Sequence, residues 1–459
     1  MPPAPNSPVM MDDPAPAPAP AKNEPPAASQ PAPMETPAEK PMATEKAKPA
    51  DKPRTVEQPK SPAKPKSESK PKPENKPKPV EKPALSPTGV DLRKGATKVE
   101  DAGHDYTLQG EYMTWDWSPA KGWQLLGIQV VARGDGDFEA LAYPGGLPGN
   151  GVGPRATMPN HTPILEPTSE LLPPTWQGTG IAGPAGLVID FCQHPEGRQF
   201  ITRDGHSGQW LRRDGTLVAH AAKWHRRSQR EGALPPAGAI SLFDGTDSGQ
   251  LKNLKLTPDG LMEIGSETKG QWQNFHLHAE FKTPFMPFAT SQARANSGFY
   301  LQKRYEVQVL DSFGLIPQFN DAAAIYRFKM PDLNMSFPPL VWQTYDIQFQ
   351  APLFDKDGKK IQNGRLTVWH NGVVVQNHVS LENKTGGGSK EGPEALPILF
   401  QNHGNPVHFR NIWLQELAPQ TLEVPSLNPA PTPITLTPCA PQCCEPVRHH
   451  RRTVRLRCR

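Results

Sequence analysis

The chain has 459 residues, a formal net charge of +4 and 57 prolines. So small a net charge gives no global argument for nucleic-acid binding, and no run of about 18 apolar residues is present to form a transmembrane helix. Length alone does not count the domains, because composition is very uneven: no Phe, Trp or Tyr occurs before Tyr106.

Residues 1–92 carry close to half of the prolines, mixed with Ala, Lys, Glu and Ser. Such a segment cannot bury enough apolar surface to offset its ordering entropy, so it is predicted to be a disordered tether with polyproline-II character. Its later part, "KPKSESKPKPENKPKPVEKP", is either a solvated spacer or a contact for an acidic cell-surface or cell-wall polymer. The opening "MPPAPNSPVMMDDP" has no basic and then apolar run of the secretory kind.

Residues 93–230 are predicted to form a small β-rich module. "WQLLGIQVVARGDGDFEALAYPGG" gives a hairpin that turns at Gly134-Asp135-Gly136, and "RQFITRDGHSGQWLRRDGTLVAHAAKW" gives short strands broken at Asp-Gly. The Gly- and Pro-dense stretch 144–184 is expected to be mostly loop. Cys192, at the end of "LVIDFCQ", is expected to be a small core residue. Residues 231–239 are read as a linker. Residues 419–459 form a Pro-rich, basic tail holding the other four cysteines, a pattern that suits tail disulfides better than a zinc site.

Residues 240–418 hold short alternating segments separated by Gly, Pro, Asn and Asp, among them "FHLHAEFKT", "GFYLQ", "YEVQVLD", "YDIQFQ" and "VHFRNIWLQEL". Many short strands at this spacing predict an all-β sandwich or jelly roll with a substantial core. In "RYEVQVLDS", Tyr305, Val307 and Val309 share one face, and Glu306 and Gln308 share the other. Asp311 joins Glu306 and Gln308 only if a β-bulge shifts the register. That polar face is either a wet strand surface or the floor of a cleft. Paired carboxylates suit glycosidic chemistry if their environments drive their pKa values apart.

The opening "SLFDG", Asn296-Ser297-Gly298, "YEVQVLDS", "AAAIY" ending at Tyr326, the Asn371-Gly372 turn, "FQNHG" and "FRNIWL" occur in order over residues 240–417. This part of the chain resembles the 3-keto-disaccharide hydrolase family. The resemblance implies a concanavalin-like β-sandwich of the laminarinase type and action on glycosides whose sugar carries a 3-keto group. The stretch from "YTLQGEYM" to "GGLPG" resembles an accessory module that precedes this domain in some bacterial proteins. Two positions depart from the family pattern: Gln343 follows Trp342 where Asn is usual, and no Trp follows the opening motif.

A 3-keto group acidifies the C2 proton, so cleavage needs a base, an enolate stabiliser and an acid for the leaving oxygen. Glu306, Asp311 and His403 are the ionisable candidates in the matching motifs. His403 is either catalytic or structural in its turn. Candidate sugar contacts are Asn296, Gln308, Gln401 and Arg410, with Tyr326 and Trp342 as stacking platforms or core residues. Arg410 would clamp an oxyanion or pair with Asp311. His276, His278 and Glu280 alternate on one strand face as metal ligands can, but a polar outer face explains them without metal, and no metal or cofactor is expected. The whole is read as a modular glycoside-cleaving enzyme, periplasmic, surface-bound or secreted. Its rival is a non-catalytic carbohydrate-binding module on the same fold.

Overall fold

The computed structural model describes residues 84–149 and 176–418. The predicted tether, apart from its last residues, and the Cys-containing tail lie outside the described residues. Eight antiparallel strands close into a barrel: β1 (Gly110–Ser118), β2 (Gly122–Gly134), β3 (Asp137–Pro144), β4 (Trp176–Gly183), β5 (Gly186–Phe191), β6 (Arg198–Thr202), β7 (Ser207–Arg212) and β8 (Leu217–Trp224). The β2–β3 turn falls where the sequence places it, with Gly134, Asp135 and Gly136 all at positive φ. Inward residues such as Tyr112, Ile128, Phe200 and Trp210 are fully buried and fill the barrel.

The stretch expected to be loop contains β4, and the glycines there serve packing. A Cβ at Gly178 would sit 2.7 Å from Ile189 Cγ2, and one at Gly180 would sit 2.1 Å from Val188 O. Their absence lets neighbouring β5 approach. Cys192 follows β5, and it is exposed and disulfide-bonded, not in the core.

The remaining strands form the sandwich: β9 (Ile240–Phe243), β10 (Leu251–Lys252), β11 (Met262–Glu263), β12 (Glu267–Thr268), β13 (Asn274–Lys282), β14 (Ser297–Leu301), β15 (Tyr305–Val309), β16 (Gln343–Gln350), β17 (Leu353–Phe354), β18 (Lys360–Gln362), β19 (Gly364–His370), β20 (Val373–Leu381), β21 (Leu399–Phe400) and β22 (His408–Glu416). One sheet runs β10-β12-β21-β14-β15; the other runs β11-β22-β13-β16-β19-β20, with β9 added beside β22, and β17 and β18 pair apart as a two-stranded ribbon. Between them, Phe275, Leu277, Phe281, Phe299, Val307, Tyr345, Ile347 and Phe409 make one apolar core. The Tyr345 hydroxyl crosses that core and donates to Gln308 O at 2.8 Å. Asn371 and Gly372 turn the β19–β20 hairpin at positive φ. No helix among the described residues is long and apolar enough to cross a membrane.

The segment between barrel and sandwich packs tightly against the sandwich. Arg226 grips buried Glu111 of the barrel through two nitrogens, while its guanidinium lies 4.8 Å from the Phe337 ring. Ser228 bonds Thr344 at 2.6 Å, Arg230 pairs with Asp346 at 3.1 Å, and Ala233 O accepts from Asn411 and Trp413.

The β4 packing argument has a direct test. Gly180→Ala should lower unfolding free energy by about 1–3 kcal/mol in chemical denaturation, as overpacking does. Gly183→Ala, whose Cβ would meet nothing within 4 Å, should leave it within about 0.5 kcal/mol.

Candidate active site

Strand alternation puts Phe299, Leu301, Tyr305, Val307 and Val309 into the core and turns their neighbours to the other side of the five-stranded sheet. On that side the register aligns Lys252, Glu267, Leu399, Tyr300 and Glu306 in one row across all five strands. A second row holds Gly298 beside Gln308, with Gln401 alongside; the Gln401 amide donates to Gly298 O at 2.8 Å.

Glu306 ends this row on the edge strand β15, and it is 2 % exposed. The Tyr300 hydroxyl donates to Glu306 Oε2 at 2.7 Å. With its amide turned so that both atoms find partners, Gln308 donates to Glu306 Oε1 at 3.3 Å and Ser297 O at 2.7 Å. A Cβ at position 298 would lie 2.7 Å from Glu306 Oε1, so the glycine of the Asn-Ser-Gly motif makes room for the carboxyl group. Burial raises the Glu306 pKa to about 7, and the single Tyr300 hydrogen bond only partly opposes it. Burial and the adjacent carboxylate hold the Tyr300 hydroxyl protonated well above its usual range.

Two segments frame this carboxyl. Residues 323–326 run along the free edge of β15, where Ala323 and Tyr326 amides donate to Gln308 O and Glu306 O, and Gln308 N donates to Ala324 O. The small alanines of "AAAIY" are buried there, and Tyr326 is half-buried close to Tyr300. On the other side Thr385 Oγ1 accepts from Glu306 N at 2.9 Å, and Gly387 lies so close that a Cβ would sit 2.5 Å from the Tyr300 hydroxyl.

The other sequence candidates divide. Asn296 and Gln401 lie beside this face, and each keeps a buried side-chain oxygen without a hydrogen-bond partner. An unpaired buried acceptor is costly, and a ligand hydroxyl would satisfy it. His403 sits exposed in the turn just beyond Gln401, where Gly404 adopts positive φ. Asp311 does not join the Glu306 face. The β14–β15 register has no shift, and Asp311 is buried past the strand end, bound to Arg294 Nε at 2.7 Å.

Arg410 and Trp342 lie on the outer side of the seven-stranded sheet, across the core from Glu306. Arg410 donates to Glu280 Oε2 at 2.7 Å and stacks 4.0 Å from the Trp342 ring, so it does not pair with Asp311. Gln343 turns into the core, where its oxygen accepts from Phe337 N and His370 Nε2, both at 2.9 Å.

His276, His278 and Glu280 form a buried face, not a wet one. His276 and His278 contact Asp346 at 3.1 and 3.0 Å, and Gly232 N donates to Glu280. These partners outweigh burial and hold Glu280 down to about 2, while they raise His278. Among the described residues no group of three or more His, Cys, Asp or Glu is arranged to hold a metal. Sequence reasoning passed over Tyr300, whose hydroxyl needs the hairpin register to reach Glu306, and Asp321, which burial raises to about 6.

The profile of a 3-keto-alpha-glucoside-1,2-lyase-like domain matches residues 238–415. A candidate glycosyl hydrolase from Parabacteroides distasonis is 34 % identical over 39 % of this chain and 84 % of its own, with a TM-score of 0.37. The chain belongs to this family. A second such candidate from the same organism is 18 % identical over 39 % of this chain and 95 % of its own, with a TM-score of 0.27. No curated protein matches the chain significantly. Membership of the 3-keto-alpha-glucoside-1,2-lyase-like family gives the sandwich a carbohydrate-active character.

The buried carboxyl makes stability depend on pH. Glu306 ionises near 4.5 when unfolded and near 7 when folded, so the folded state binds more protons in that window. Stability therefore falls as pH rises from about 4.5 to 7, by about 3 kcal/mol from this group. Glu306→Gln should remove the penalty: thermal melts should show the variant gaining stability over the parent at pH 8 and little at pH 4.

Proposed function

We propose that the sandwich cleaves 3-keto-glycosides by proton transfer at C2, with Glu306 as the base. One observation carries this reading: a buried carboxyl poised near neutrality on the outer face of the sheet, beside a tyrosine that stays a proton donor. Ionised Glu306 takes the C2 proton, which the neighbouring ketone acidifies. The electron pair left behind forms the enolate and then the C1–C2 double bond as the C1–oxygen bond breaks. The leaving oxygen takes a proton, and water adds afterwards to complete hydrolysis.

Tyr300 anchors the carboxyl through its hydrogen bond to Oε2. In this reading Asn296 and Gln401, whose buried side-chain oxygens have no hydrogen-bond partner, accept from sugar hydroxyls. His403, exposed at the edge of this face, is a proton donor for the leaving group in the same proposal. Action outside the cytoplasm belongs to it as well, and the disulfide at Cys192 suits an oxidising compartment.

The test is incubation with a 3-keto-disaccharide and its unoxidised parent. Release of sugar from the keto form alone, with solvent deuterium at C2, is expected. Its kcat/KM should rise with pH through about 7. Glu306→Gln should cut kcat at least 10²-fold, the scale of lost general-base catalysis. Equal cleavage of the unoxidised sugar, or an unchanged rate in the variant, would reject the assignment. Sugar binding without any turnover would favour the lectin alternative.

A further inference from the structure

Among the described residues, Tyr112, Ile128, Phe200 and Trp210 are fully buried and fill the barrel interior. One end is closed by a satisfied cluster in which Asp116 accepts from Arg198, Trp210 and His194 at 2.8, 2.9 and 3.2 Å. The outside of the barrel is therefore where a ligand surface is sought.

The outer face of the β1–β2 hairpin is unusual. Alternation turns Tyr112, Thr114 and Asp116 inward and Trp115 and Trp117 outward. The register sets Trp115 opposite Leu125 and Trp117 opposite Trp123. These four side chains form one contiguous patch. Trp115 is 50 % exposed and Trp123 59 %, whereas the chain's other eight tryptophans are buried or half-buried. The Arg212 guanidinium stands 5.9 Å from the Trp117 ring, and exposed Lys121 lies in the hairpin turn.

We infer that this hairpin face is a second carbohydrate-binding surface, which stacks pyranose rings of a glycan chain on Trp115 and Trp123. Three observations choose a glycan. The rings are flat and apolar with polar edges, which matches the C–H face and hydroxyl rim of a sugar. The cations beside them donate hydrogen bonds, and no carboxylate of the hairpin shares the patch. The barrel is also packed directly onto a carbohydrate-active sandwich, so closely that a Cβ at Gly134 would lie 2.5 Å from the Phe288 ring and one at Gly314 2.3 Å from Val131 Cγ2, so a chain held on one module stays close to the other. The inference rests on that general carbohydrate-active character, not on the 3-keto chemistry.

Affinity electrophoresis of the full chain through gels containing a neutral β-glucan, xylan or an acidic polysaccharide tests it. Retardation by at least one polymer is expected, and Trp115→Ala/Trp123→Ala should abolish it with an unchanged melting temperature. Retardation by the acidic polymer alone would assign Arg212 and Lys121 a share in recognition. Glu306→Gln should stay retarded, so failed turnover and failed binding are read separately. The double variant should keep the parent's rate on any small substrate. The inference is overturned if no polymer retards the protein, or if the double variant migrates like the parent. It is also overturned if that variant loses turnover of a small substrate. A synthetic peptide of residues 60–83 that shifts tryptophan fluorescence where polysaccharide does not would give the patch to the chain's own Pro-rich segment instead, and would equally overturn it.

Discussion

A β-strand offers each side chain to one face only, and the sandwich depends on that constraint throughout. In β15 it sends Tyr305, Val307 and Val309 to the shared core and leaves Glu306 and Gln308 on the far side. In β13 it sends Phe275, Leu277, Ala279 and Phe281 inward and leaves His276, His278 and Glu280 outside. The two polar faces are thus on opposite sides of one apolar layer. No local rearrangement brings Arg410 or Trp342 to Glu306.

The two faces bury their charges by opposite means. On the seven-stranded sheet, each acid is given cations and donors: Asp346 receives Arg230, His276 and His278, and Glu280 receives Arg410, Asn411 and Gly232 N. Their carboxyl groups stay ionised, and the cluster fastens the segment after the barrel onto the sandwich. On the five-stranded sheet, Glu306 receives one tyrosine hydroxyl and an amide but no cation. Its desolvation is only partly compensated, which is the condition for a carboxyl that exchanges protons near neutrality. The same residue type is an ionised fastener in one place and a carboxyl pushed toward neutrality in the other.

Glycines and alanines at the site serve close approach. Gly298 clears space for the Glu306 oxygen, Gly387 for the Tyr300 hydroxyl, and buried Ala323 and Ala324 let a backbone segment pair with the edge of β15. That pairing covers a strand edge that would otherwise be open. The Asn-Ser-Gly, "YEVQVLDS" and "AAAIY" motifs are thus legible as contacts around one strand and its carboxyl group.

The sequence by itself determined the strands with strict alternation, the Asn371-Gly372 and Gly134–Gly136 turns, the sandwich class and the outward side of Glu306, because period-two patterning and turn chemistry are local. It did not single out β4 within a stretch read as mostly loop, since the glycines at 178 and 180 answer to neighbours on another strand. It left Asp311 dependent on a bulge that β15 lacks, and only the fold supplied Arg294 as its partner. Tyr300 came to Glu306 through hairpin register, and Arg410 went to Glu280 through the pairing of two distant strands. Whether a carboxylate is compensated or isolated depends on residues far away in the chain, so the tertiary structure alone decided which acid keeps its proton.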